Sequence, residues 1–172
     1  MGGSDLNAVD PYTYDDISSG SPDDFSLTSF SIDKDLEFMI PLIKLAKAVN
    51  PKIKILATPW SAPAWMKTNN NLFGGSLVDT DAYMSALGDY FVKFVQAYAA
   101  EGITIDYLTL QNEPLHETSG YPSMRMWWQQ QSTLIRDHVG PKFVQAGLTT
   151  KILVYDHNWD DTEYATGIFS DR

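Results

Sequence analysis

Apolar residues recur at helical spacing in three stretches of this 172-residue chain, and a short apolar run follows each. The first stripe is Leu36, Met39, Ile40, Ile43 and Ala46 or Ala48. It predicts a helix capped by Asp33 and running to about Ala48, with Pro41 inside it as a kink. The second stripe is Tyr83, Leu87, Phe91, Phe94, Val95 and Tyr98. It predicts a helix capped by Asp79 or Thr80, running to about Glu101 and stopped by Gly102. A third helix is predicted from a cap at Ser123 to about Val139, closed by Gly140-Pro141. Residues 52–57, 103–110 and 151–155 carry the Ile, Val, Leu, Thr and Tyr content of strands. A further helix begins near Asp161.

The polar intervals are uneven. Residues 1–33 are rich in Gly, Ser, Pro, Asp and Tyr and predict a long loop with turns at Asp10-Pro11 and Ser21-Pro22. Residues 59–76, 111–122 and 156–160 are polar-aromatic loops, and each follows a strand, whereas the helix-to-strand links are brief. Alternating helices and strands predict a parallel sheet with covering helices. Long loops confined to the C-terminal ends of strands predict an α/β fold of the TIM (β/α)8 type. A doubly wound sheet is the rival, although no Gly-rich phosphate loop supports a nucleotide-binding version. A whole barrel has eight strands over about 250 residues. Three strands therefore predict a partial barrel, roughly strands 3 to 5 with their helices.

Composition narrows the partners. The chain is 44% hydrophobic, as globular domains are, with 13% aromatic residues including five Trp and nine Tyr. Such rings serve a core, and they also stack on sugar faces. A net charge of −10 repels phosphate backbones, so nucleic acid is not an expected partner. No Lys or Arg cluster suits anionic lipid heads. No apolar run approaches the roughly 20 residues that span a bilayer, so no integral membrane segment is expected. There is no Cys, hence no disulfide framework. The first residues lack the apolar core of a secretion signal.

The chemistry concentrates at strand ends. Gln111-Asn112-Glu113-Pro114 closes the second strand, where a carboxyl group rides on a rigid element facing the barrel mouth. Pro114 pushes Glu113 toward extended geometry, which predicts a straight run to the strand tip. Asn112 can both donate and accept toward a sugar hydroxyl. Glycoside cleavage needs one carboxyl group to protonate the leaving oxygen and later deprotonate water. The structural alternative is a loop-capping Glu or one paired with Arg. Pro59-Trp60-Ser61-Ala62-Pro63-Ala64-Trp65 follows the first strand. Trp60 is the better candidate for a sugar-facing wall, and Trp65 for packing. Asp156 and His157 end the third strand, but two ligands without a third make a poor metal site. A hydrogen-bonded structural cluster is the better reading there. His116 and His138 read as surface or loop residues.

These motifs together resemble glycoside hydrolase family 30. The likeness rests on residues 57–69, on Gln111-Asn112-Glu113-Pro114 and on Ser119-Gly120-Tyr121-Pro122. It also rests on Gly2-Gly3-Ser4-Asp5 and on Tyr12-Thr13-Tyr14-Asp15-Asp16, all in the family's order. The resemblance implies a (β/α)8 barrel with two catalytic Glu and retention of configuration. Glu113 matches the acid/base, Asn112 the residue that binds the 2-hydroxyl, and Trp60 the wall of the sugar site. Asp5 matches a sugar-binding Asp, and Tyr121 a residue of the rim. Trp159, by its position after the third strand, is a further substrate-binding candidate. No metal or cofactor is implied. The expected partner is a β-glucoside, glucosylceramide first and β-1,6-glucan as the alternative. An extracellular parent enzyme is expected.

One member of the catalytic pair has no match. The family nucleophile ends the seventh strand, and this chain is expected to reach only the fifth. Glu37, Glu101, Glu117 and Glu163 are not expected to reach the roughly 5–5.5 Å from Glu113 that a retaining pair requires. The whole chain, 1–172, thus reads as part of a barrel domain without nucleophile strand or accessory β-sandwich, and inactive alone. A non-catalytic, sugar-binding half-barrel is the reading from another class.

Overall fold

A computed structural model describes residues 1–7 and 9–171; Ala8, in the first predicted loop, and Arg172 lie outside it. Three strands form one parallel sheet in the order β1 (Leu56–Ala57), β2 (Tyr107–Thr109), β3 (Lys151–Leu153). The register pairs Leu56 with Tyr107, and Leu108 with Ile152. The strands are shorter than the sequence predicts. Asp106 explains part of this. Its carboxylate accepts from Ile55 N–H at 2.9 Å and pairs with Lys54 at 2.7 Å, so one ladder donor is diverted to a side chain at the sheet's lower end, while Ile55 O still accepts from Tyr107 N–H at 3.1 Å.

The helices fall where the stripes predict, with four differences. The first predicted helix is two: α1 (Asp33–Glu37) and α2 (Met39–Val49), divided at Phe38 with φ −142°. Pro41 is the cause, because its ring would strike the carbonyl of Glu37 four residues back. At the third position of α2 its missing N–H costs nothing. Asp33 is inside α1, and Ser31 Oγ accepts its N–H at 3.0 Å.

The second helix, α3 (Asp81–Ala100), buries Leu87, Phe91, Phe94, Val95 and Tyr98. Gly102, at φ +76°, ends it in a conformation costly to other residues. The third begins at Trp128, not Ser123, and does not stop at Gly140-Pro141. α4 (Trp128–Thr133) passes through a π turn (Leu134–Val139) into α5 (Gly140–Gln145). There Gly140 N–H bonds Ile135 O five residues back. The wider turn relieves the clash that Pro141 would cause in an α-helix. His138, read as a surface or loop residue, is buried in this π turn, 3.7 Å from Asp81. α6 (Glu163–Ser170) completes the chain.

The core lies between α3 and the sheet, where Phe91, Phe94, Ile103, Ile105, Leu108 and Leu110 are all buried. The opposite ends of the sheet are open. Among the described residues β1 and β3 each have one unpaired edge, and large apolar residues on α2 and α6 are exposed.

Candidate active site

The C-terminal ends of the three strands converge. Beyond the formal strands, Asn112 continues the parallel pairing with Asp156, and Asn112 N–H reaches Pro59 O at 2.8 Å. The three predicted loops thus spring from one shelf. Gln111 is buried and its Nε2 donates to Trp60 O at 2.9 Å, so the residue two before the acid/base candidate fixes the tryptophan loop.

Glu113 stands at this shelf but not in the expected backbone geometry. Its φ is +41°, in the left-handed region, so the chain turns at Glu113 instead of running straight. Pro114 bars the right-handed helical region to its predecessor, and tertiary bonds choose among what remains. Glu113 N–H donates to Asp156 O at 2.8 Å, and Glu113 O accepts from His116 N–H at 2.8 Å. A non-glycine residue held this way costs on the order of 1–3 kcal/mol and persists where its surroundings over-determine it, commonly at functional sites. The Glu113 side chain is 36% exposed, and His157 Nε2 lies 3.3 Å from its Oε1.

Trp60 and Tyr121 meet edge to face, with ring centroids 5.4 Å apart, and Tyr121 OH contacts His116 Nε2 at 3.2 Å. Trp65 plays the packing role: it is buried against Phe25 and Tyr83, and its indole N–H donates to Asp15 Oδ2 at 3.0 Å. Burial pushes the Asp15 carboxyl up to about 6, against the opposing indole bond. The Tyr12-to-Asp16 motif is otherwise structural. Tyr12, Tyr14 and Tyr98 all donate their hydroxyls to buried Asp35, and Asp16 accepts from Thr13.

Lys67 is a residue the sequence reading passed over. Its buried ammonium donates to Ser61 Oγ (2.9 Å), Leu72 O (2.8 Å) and Ser123 O (2.7 Å). It therefore clips the Trp60 loop to the Tyr121 loop. Burial pushes it down to about 7. Nothing in the local sequence distinguishes it from a surface lysine.

Two candidates are placed differently from the rest. Asp5 is exposed in a single 3-10 turn, Asp5–Asn7, and among the described residues no hydrogen bond joins it to Glu113, Asn112 or Trp60. Neighbouring Gly3 packs against Pro122, which keeps this segment at the same end of the sheet. Trp159 is 97% exposed and lines an open groove with Tyr155 and Phe169. Of the other carboxylates, Glu117 faces Arg125 at 3.8 Å and Glu101 pairs with Lys44 at 2.9 Å. Among the described residues no three metal-binding side chains converge.

The chain matches the Glycosyl hydrolase family 30 TIM-barrel domain over residues 2–172. It belongs to that family. An endo-1,6-β-D-glucanase of Trichoderma harzianum is 41% identical over 95% of this chain and 35% of its own length. The lysosomal acid glucosylceramidase of Mus musculus is 35% identical over 84% of this chain and 29% of its own. A solved endo-β1,6-glucanase superposes with a TM-score of 0.83 at 32% identity, covering 95% of this chain and 37% of that one. This family 30 chain thus spans about a third of the length of the relatives it matches. Its three-stranded parallel sheet is part of a TIM barrel, not a doubly wound domain.

Proposed function

We propose that this chain supplies the acid/base half of a retaining endo-β-1,6-glucanase site. The observation that carries the reading is the Glu113 carboxyl group on the β2 shelf beside Asn112, whose N–H and the Gln111 side chain bind the backbone of the Trp60 loop, in a family 30 barrel segment. Glu113 would protonate the departing sugar oxygen and then take a proton from water. Asn112 would hold a sugar hydroxyl and Trp60 stack on the ring. The nucleophile would come from a later strand of a longer barrel.

The sequence puts glucosylceramide first, and the identities to relatives support the glucan alternative better. Three fungal endo-1,6-β-D-glucanases are 40–41% identical over 95–97% of the chain. Glucosylceramidases are 31–37% identical over 84–91%. A secreted enzyme would suit a polymeric substrate. Assay of the full-length gene product on linear β-1,6-glucan and on glucosylceramide tests this. Glucan turnover is expected, falling by about 10²–10⁴ in Glu113→Gln. Turnover of glucosylceramide alone would move the reading to the lipid. Binding of glucosides without turnover of either would leave the sugar-binding reading.

A further inference from the structure

We propose that Asp156-His157, at the tip of β3, is the device that positions the Glu113 carboxyl group, a role that rests on reading Glu113 as the acid/base. The dipeptide grips Glu113 twice. Asp156 O accepts the Glu113 N–H at 2.8 Å, which holds the left-handed turn. His157 Nε2 sits 3.3 Å from Glu113 Oε1, a close polar contact beside the carboxyl group.

The grip is itself anchored. Asp156 Oδ2 accepts from Thr58 Oγ1 at 2.5 Å and from Thr109 Oγ1 at 2.8 Å, and the two hydroxyls also contact each other. Thr58 follows β1 and Thr109 ends β2, so one carboxylate ties all three strand tips together beneath Glu113. The imidazole is braced from behind. The Tyr155 ring meets it edge-on, with centroids 6.1 Å apart, and stacks on Tyr164 of α6 at 4.8 Å. Tyr164 OH is bound to Met126 O at 2.8 Å.

An acid/base carboxyl must present one oxygen to two partners in turn, the leaving oxygen and then water. Rotation of a free carboxyl would lose that aim. Among the described residues neither Glu113 carboxyl oxygen accepts a hydrogen bond, and the close contact of His157 with Oε1 crowds that oxygen and leaves Oε2 the freer for proton exchange. His157 and Asp156 act through Glu113 and are positioning residues.

Leaving-group dependence separates this role from simple support, because departure of a good leaving group needs no proton. In the full-length gene product, His157→Ala should lower kcat/KM on alkyl β-glucosides by about tenfold or more, with little loss on a dinitrophenyl glucoside and KM within about twofold. His157→Gln, which keeps an N–H donor, should recover most of the loss. Equal losses on both substrates, or no recovery by Gln, would overturn the proposal. If Glu113→Gln leaves alkyl-glucoside turnover intact, the acid/base reading fails instead. A second measurement needs no turnover. In the full-length gene product, the His157 ring nitrogen resonances should shift in Glu113→Gln and stay in place in Glu117→Gln. Unchanged spectra in Glu113→Gln would remove the contact and the proposal with it.

Discussion

Two carboxyl groups show how much surroundings decide at the scale of one residue. Glu113 is partly exposed beside an imidazole, whereas Asp15 is fully buried with only an indole N–H on one oxygen, its Oδ1 unpartnered. Asp15 is thereby raised from an ordinary value near 3.8 to about 6. The folded form binds its proton more tightly than the unfolded chain, so the stabilisation is complete below about pH 4 and is lost as pH rises through 6. At 1.36 kcal/mol per unit, about 3 kcal/mol is involved. Asp15→Asn, which can still accept from Trp65, should flatten the fall in thermal midpoint between pH 4 and 6; an unchanged slope would place the titration elsewhere. The sequence showed Asp15 only as part of the Tyr12-to-Asp16 stretch of the family resemblance. Its effect is set by Trp65, 50 positions away.

Elements follow local rules until packing overrides them. The stripe of α3 and its stop at Gly102 were legible because both are local: period, then a left-handed terminus. The end of the third helix was misplaced because Gly-Pro is a stop only in α geometry, and the π turn removes the clash. Gly167, inside α6, is a second override. Helix propensity alone says Ala would stabilise it by roughly 0.5–1 kcal/mol. A Cβ there would lie 2.6–2.9 Å from the Trp128 ring of α4. Gly167→Ala should therefore destabilise the protein by about 1–3 kcal/mol, the usual range for overpacking, as read by urea denaturation. A gain in stability would show that the α4–α6 contact yields.

For the whole molecule, the decisive feature is what the sheet leaves open. Leu42, Leu45 and Val49 on α2 are 62%, 67% and 88% exposed beside the β1 edge. Phe169, in a groove with Leu153 of β3, is 77% exposed, and Val144 on α5 is 81% exposed. Unpaired edges and apolar surface of this kind drive association. The 172-residue chain alone should elute above monomer mass in light-scattering chromatography and bind a hydrophobic dye, despite its charge of −10. A monomer with one sharp melt would show that these faces are tolerated. The sequence by itself determined the β/α alternation, the apolar stripe and stop of α3, and the placing of Asn112 and Glu113 at a strand tip. Each depends on spacing over a few residues. Only the tertiary structure decided the turn at Glu113, the Lys67 clip and the meeting of His157 with Glu113. Those depend on which chain ends a parallel sheet brings together, as with Thr58 and Asp156, 98 positions apart, and a linear pattern carries no record of such neighbours.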